Sequence, residues 1–150
     1  MLRPEFVLRK LQLVTDDLGH LATFRSVSRE ALVSDPLALA TVERLIERIV
    51  MRSVDVNLHL VVALATGHEV QTTRLTYRDS FVRLAGLDVL DDEFAVDIAR
   101  SAGLRNVLVH DYNDADRALV HAAIGLCLAQ YPRYVRDVTA FVDGLDPLPT

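Results

Sequence analysis

The chain has 150 residues, a formal net charge of −5, a hydrophobic fraction of 51%, 6% aromatics and no Trp. A length of this order predicts a single domain over residues 1–150 that buries roughly two-thirds of its unfolded surface. The acidic balance excludes a nucleic-acid binder held by bulk positive charge, the single cysteine, Cys127, excludes a disulfide framework and a Cys-based zinc site, and the longest apolar run, Leu58 to Thr66, is interrupted by His59 and falls well short of the ~20 residues of a membrane span.

Met1 to Lys10 carries charges and a Pro where a secretory signal would carry an apolar core, so a cytoplasmic location with no membrane contact is expected. The aliphatic, aromatic-poor composition is that of packed helices, and it leaves apolar surface for self-association. All basic residues except Lys10 are Arg, the side chain whose fixed fork suits phosphate, although genomic base composition explains the same bias.

Pro4 suits a first helical turn. Phe6, Val7, Leu11, Val14, Leu18, Leu21 and Phe24 then recur in steps of three and four, which predicts a helix over about 4–26 with a break near Ser26 to Ser28. A short helical piece follows from Ser28 to Val33. Asp35-Pro36 is an N-cap and N1 pair. It opens a long helix over Pro36 to Thr66 with a broad apolar stripe (Leu39, Val42, Leu45, Ile46, Ile49, Val50, Val54, Leu58, Val61, Val62, Leu64), a wet face of Glu43, Arg44, Glu47 and Arg48, and Gly67 as C-cap. His68 to Leu75 reads as a polar connection. Thr76 caps a short helix from Tyr77 to Ala85 that Gly86 ends. Asp91-Asp92-Glu93 puts acidic residues in the first turn of the next helix, where its dipole favours them. That helix continues from about Asp91 through residues 105–112, loosened near Gly103. Asn113-Asp114 breaks it and caps a last helix over about Ala115 to Val142, which Pro132 should kink or split. Gly144 and the Pro147–Pro149 stretch form a flexible tail over about 144–150. No stretch alternates with a period of two. The class is all-α, an up-and-down bundle of four to five helices.

The chemistry concentrates in Arg105-Asn106-Val107-Leu108-Val109-His110-Asp111-Tyr112. On a continuous helix Arg105 and Tyr112 lie about 20° apart, and Asn106 and His110 about 40°. All four then share an arc of about 160°, with Leu104 and Leu108 outside it. A His titrates near neutrality and moves protons; an Arg stabilises charge developing on a phosphoryl group. Together they suffice for metal-free RNA cleavage in which the ribose 2′-OH attacks the adjacent phosphorus, leaving a 2′,3′-cyclic phosphate. One His per chain is thin for both acid and base, and a two-fold dimer would bring two copies together. A dipole-facing His beside a solvated Arg near a helix end is the structural alternative.

The run from Arg105 to Tyr112 resembles the signature of HepT-like toxins of the HEPN superfamily, in which Arg-Asn leads an apolar pair and ends in His-x-Tyr. Thr76 to Leu84 resembles that family's Tyr-x-x-x-Phe-x-x-Leu helix. Val54 to His59 resembles the Asp-containing part of its long second helix, with Asn57 and Leu58 departing from the Ala-Asn order of the family. The resemblance covers about residues 40–142. It implies a HEPN bundle, a two-fold homodimer with the motif lining a cleft between subunits, and metal-independent endoribonuclease activity on RNA. It also implies a minimal nucleotidyltransferase (MNT) antitoxin as partner, transferring AMP from ATP to Tyr112. Arg105, Asn106 and His110 are then active-site residues and Tyr112 the modification acceptor; no cofactor is expected. The alternative function is a non-catalytic HEPN module serving as the nucleotide-binding subunit of a nucleotidyltransferase complex.

Asp55 and His59, four apart, are candidates for a hydrogen-bonded pair inside the bundle or for support beneath the site. Tyr77 is a packing residue or a contact to the cleft. No metal site is expected, since His20, His68 and His121 lack ligand spacing and Asp91-Asp92-Glu93 reads as a helix start. Cys127, in an apolar helical run, reads as a small core residue.

Overall fold

The computed structural model of the chain describes residues 1–64, 75–104 and 114–145, the side chains of 114–116 excepted. Six α-helices and one 3-10 turn make up the described chain, with no strand among these residues, so the all-α bundle expected from the periodicity is the architecture found.

Helix α1 (Pro4–Ala22) opens with Pro4 at N1 and buries Val7, Leu11, Val14, Leu18 and Leu21 on one face. It ends four residues sooner than its apolar stripe suggests. The Thr23 hydroxyl donates to the His20 carbonyl, competing with the helical ladder, and Phe24, Arg25 and Val27 continue as i→i−3 turns. Helix α2 (Arg29–Val33) is the short piece expected, capped by the Ser28 side chain. Helix α3 (Pro36–Leu64) starts where the Asp35 carboxylate accepts from the Ala38 N–H, 3.1 Å away. The end foreseen at Thr66 and Gly67, and His68, lie outside the described residues.

Helix α4 (Tyr77–Gly86) begins with a reciprocal capping box between Thr76 and Asp79. It ends at Gly86 as expected, but the glycine does not supply the left-handed turn. The left-handed residue is Asp88 (φ 60°). The Asp88 N–H donates to the Ala85 carbonyl and the Val89 N–H to the Leu84 carbonyl, a Schellman closure with an Asp in place of the usual glycine. Val89 and Leu84, both buried, make its apolar clasp. Helix α5 (Asp92–Ala99) is capped by the Asp91 carboxylate on the Phe94 N–H, so the acidic triplet is a helix start. The chain then tightens into a 3-10 turn at Arg100–Gly103, three residues before the glycine expected to loosen it. Helix α6 (Asp114–Leu145) is not split at Pro132. Its last residues, Gly144 and Leu145, belong to the helix, and 146–150 lie outside the described residues.

Helix α3 is the axis, packed against α1, α2, α4 and α6. Its apolar stripe is buried apart from Leu58 and Leu64, which are half-buried, and Val62, which is 54% exposed. The α1–α3 seam carries charge: the Asp17 carboxylate, 2% exposed, takes Arg52 at 2.7 Å and Arg48 at 3.3 Å. Deeper in, Phe81 of α4 meets Tyr131 and Tyr134 of α6 edge-on, with ring centroids 6.3 and 5.7 Å away, an arrangement the aromatic quadrupole favours. Among the described residues no helix is long and apolar enough to cross a membrane.

Candidate nucleotide-facing site

Arg105, Asn106, His110 and Tyr112 lie outside the described residues, in the stretch between the 3-10 turn and α6. The ground on which that stretch is mounted is described. Directly before it, the 3-10 turn faces the start of α4 across a cavity of about 500 Å³, a volume within the range that small ligands fill. Leu75, Thr76, Tyr77 and Arg78 line one wall, and Ala99, Arg100, Ala102 and Gly103 the other.

Both walls are tied to the core by a tyrosine of α6. The Tyr134 hydroxyl donates to Asn57 Oδ1 and lies 3.1 Å from the Ser53 carbonyl. Asn57 Nδ2 donates to Ser80 Oγ at 3.1 Å, and Ser80 Oγ donates to the Tyr77 carbonyl at 2.6 Å. The Tyr131 hydroxyl pairs with Ser101 Oγ at 2.5 Å, and that oxygen donates to the Ile98 carbonyl, so Tyr131 is the donor to Ser101. Tyr131, Tyr134, Asn57 and Ser80 are fully buried. Burial pushes both phenols well above their ordinary pKa, so they remain neutral donors. Two α6 side chains one helical turn apart thus hold the first turn of α4 and the 3-10 turn in place.

The charged side chains lining the cavity are cationic. The guanidiniums of Arg78 and Arg100 have no ion-pair or hydrogen-bond partner among the described residues. Arg78 stands in the first turn of α4, where the helix dipole disfavours a cation. The Tyr77 side chain, 37% exposed, lines the cavity. Arg78 and Arg100 were not singled out from the sequence: an isolated Arg on a polar helix face carries no signal until a second one faces it.

Asp55 and His59 take partners from α1 and the residue that precedes it, and not each other. The Asp55 carboxylate binds Lys10 Nζ at 3.1 Å. His59 Nε2 accepts the Arg3 backbone N–H at 3.0 Å, and its ring lies 4.9 Å from that of Phe6. Desolvation, with the Arg3 charge and the N-terminal ammonium adding to it, holds His59 below its ordinary pKa, which keeps Nε2 an acceptor. His121 is likewise structural, 2.7 Å from the Val27 carbonyl. Cys127 is fully buried and its thiol is pushed up to about 12 by that burial, which makes it a core residue and no nucleophile.

The fold places the chain among small all-α bundles, with a cavity of small-ligand size lined by two arginines. Its sequence is more specific. The family model described as "Ribonuclease HepT-like" matches residues 11–138, and the chain belongs to that family. It is 33% identical over 145 residues to a protein of Aphanizomenon flos-aquae named "tRNA nuclease HepT", covering 97% of this chain and 95% of the other. It is also 31% identical over 64 residues to a "Putative RNase" of Archaeoglobus fulgidus, covering 43% of this chain and 48% of the other.

Proposed function

We propose that this chain is the toxin of a toxin–antitoxin pair, a metal-independent endoribonuclease formed from a single domain. The observation that carries the reading is the intact Arg105, Asn106, His110 and Tyr112 run in a chain of the HepT-like family. Because the relative matched along nearly its whole length is named a tRNA nuclease, tRNA is the RNA proposed.

The reaction needs no nucleophile from the protein. The 2′-oxygen attacks the adjacent phosphorus while His110 removes its proton. The bond from phosphorus to the 5′-oxygen breaks, and that oxygen takes a proton from the protonated imidazole of His110 of the partner subunit. Arg105 faces the equatorial phosphoryl oxygens as their charge grows, and Asn106 adds a neutral donor. The products are a 2′,3′-cyclic phosphate and a free 5′-hydroxyl. A two-fold dimer through α6 supports this. Leu119 and Leu126, 50% and 56% exposed, and the exposed Ala122 and Ala129 form an apolar stripe on that helix. Leu126 lines a smaller cavity with Leu104 and Arg100, next to the point where the chain enters the motif. A nucleotidyltransferase antitoxin would silence the enzyme by moving AMP onto the Tyr112 hydroxyl, adding phosphate charge and bulk beside Arg105.

The test is cleavage of total RNA and of tRNA in EDTA by wild-type protein and His110→Ala, both purified without antitoxin and shown by mass spectrometry to carry no AMP. Scission that leaves cyclic phosphate and disappears in the mutant is expected, a loss of at least about 10²-fold. A His110→Ala protein that cuts as well as wild type sinks the mechanism. No scission by the folded, unmodified protein favours a non-catalytic nucleotide-binding subunit of a nucleotidyltransferase complex instead.

A further inference from the structure

Two features of the cavity between the start of α4 and the 3-10 turn suit it to an anionic occupant. Arg78 and Arg100 enter it from opposite walls with no carboxylate among the described residues to pair with, and Arg78 does so at a helix terminus where a cation is disfavoured. Beside α1, by contrast, Lys10, Arg44, Arg48 and Arg52 share a groove, and each has an acidic partner in Asp55, Glu47 or Asp17. The two arginines are therefore placed for an external anion. Beside them the rim offers an accessible aromatic ring, Tyr77, and the apolar groups of Leu75, Ala99 and Ala102. Phosphate-sized positive charge next to a stacking surface is the chemistry that recognises a nucleotide in single-stranded nucleic acid. The walls are preorganised through Tyr131 and Tyr134, so little ordering accompanies binding.

We propose that this cavity is a nucleotide subsite, in which Arg78 and Arg100 grip the phosphate of an unpaired RNA nucleotide flanking the scissile bond while the Tyr77 ring stacks on its base. The assignment rests on the ribonuclease reading, since Gly103 at the cavity wall is two residues from Arg105 in the chain. Arg78, Arg100 and Tyr77 are binding residues, so their loss weakens substrate capture and leaves the chemical step alone.

The first arm measures AMP binding by calorimetry on His110→Ala protein, which retains the subsite but cannot cut. Adding Arg78→Ala and Arg100→Ala together should weaken AMP by about tenfold or more. Tyr77→Ala should weaken it by about fivefold or more, and Tyr77→Phe should restore it. Inorganic phosphate should bind more weakly than AMP. AMP affinity unchanged in the double-arginine variant, no AMP binding at millimolar concentration by the folded protein, or phosphate binding as tightly as AMP each overturns the assignment. The second arm uses tRNA with His110 intact: the arginine variants should raise KM about tenfold with kcat within about twofold. A fall in kcat at unchanged KM also overturns it. If wild-type protein never cuts tRNA while AMP binding still depends on Arg78 and Arg100, the ribonuclease reading has failed and the nucleotide subsite stands. The side chains of Tyr77, Arg78 and Arg100 are at the surface or the rim, and circular dichroism of each variant establishes that the fold is kept.

Discussion

Tyr134 carries a hydroxyl into the centre of the bundle, where an unpaired polar group is costly. Its partner Asn57 is equally buried, and through Ser80 the two reach the Tyr77 backbone. Tyr134→Phe removes the donor and leaves Asn57 Oδ1 dry and unsatisfied. A loss of about 1–3 kcal/mol of stability is expected, read from the denaturant midpoint; a change below about 0.3 kcal/mol would show that the thread contributes nothing. Sequence reasoning marked Asn57 only as a departure from a family pattern and passed over Tyr131 and Tyr134. A tyrosine in an amphipathic helix reads equally as core or surface. What decides is an acceptor on another helix, which for Asn57 and Tyr134 lies 77 residues away in the chain.

At the scale of elements, local chemistry accounts for most boundaries. Asp35-Pro36, Thr76 and Asp91 each start a helix as their side chains predict, because a cap bonds an N–H within three residues of itself. The Thr76 cap also sets the turn that carries Tyr77 and Arg78. Thr76→Ala should cost about 0.5–1 kcal/mol, toward the low end for a cap because the site is exposed. Thr76→Ser should recover it, and equal unfolding midpoints for all three proteins would show that the capping box is incidental. The expectations that needed amending involve competition. Gly86 is the last residue of α4, but the Schellman closure beyond it is set by where Val89 can bury against Leu84, and Asp88 tolerates the left-handed conformation there. Pro132 lacks the N–H a helix interior uses, yet α6 continues through it. Tyr131 and Tyr134, on either side, are fully buried, and their packing outweighs one missing backbone bond.

For the whole molecule, the apolar stripe of α6 makes the dimer testable. Leu126 is 56% exposed in the single chain, so Leu126→Arg should leave each subunit folded while placing two like charges in a two-fold contact. Sedimentation equilibrium should show wild type as a dimer and the variant as a monomer, with cleavage lost along with His110 of the partner subunit. Leu37→Arg, at a residue 78% exposed on α3, is the control and should stay dimeric. A dimeric Leu126→Arg protein, or a monomeric wild type that cuts RNA, would place the interface or the mechanism elsewhere.

The helices, their caps and the Arg105 to Tyr112 run were legible in the one-dimensional chain, because helical periodicity, capping and motif spacing all act between residues a few positions apart. The all-α class followed from the same short-range rules. Tertiary structure alone decided the rest. It gave Asp55 and His59 to Lys10 and Arg3 rather than to each other, and it turned two tyrosines inward. It also set Arg78 and Arg100 across one cavity from helices that no pattern pairs. The physical reason is that angular periodicity specifies which face of a helix is apolar, whereas the partner of a buried hydroxyl or a paired charge depends on distances between helices, which are settled only when their side chains pack.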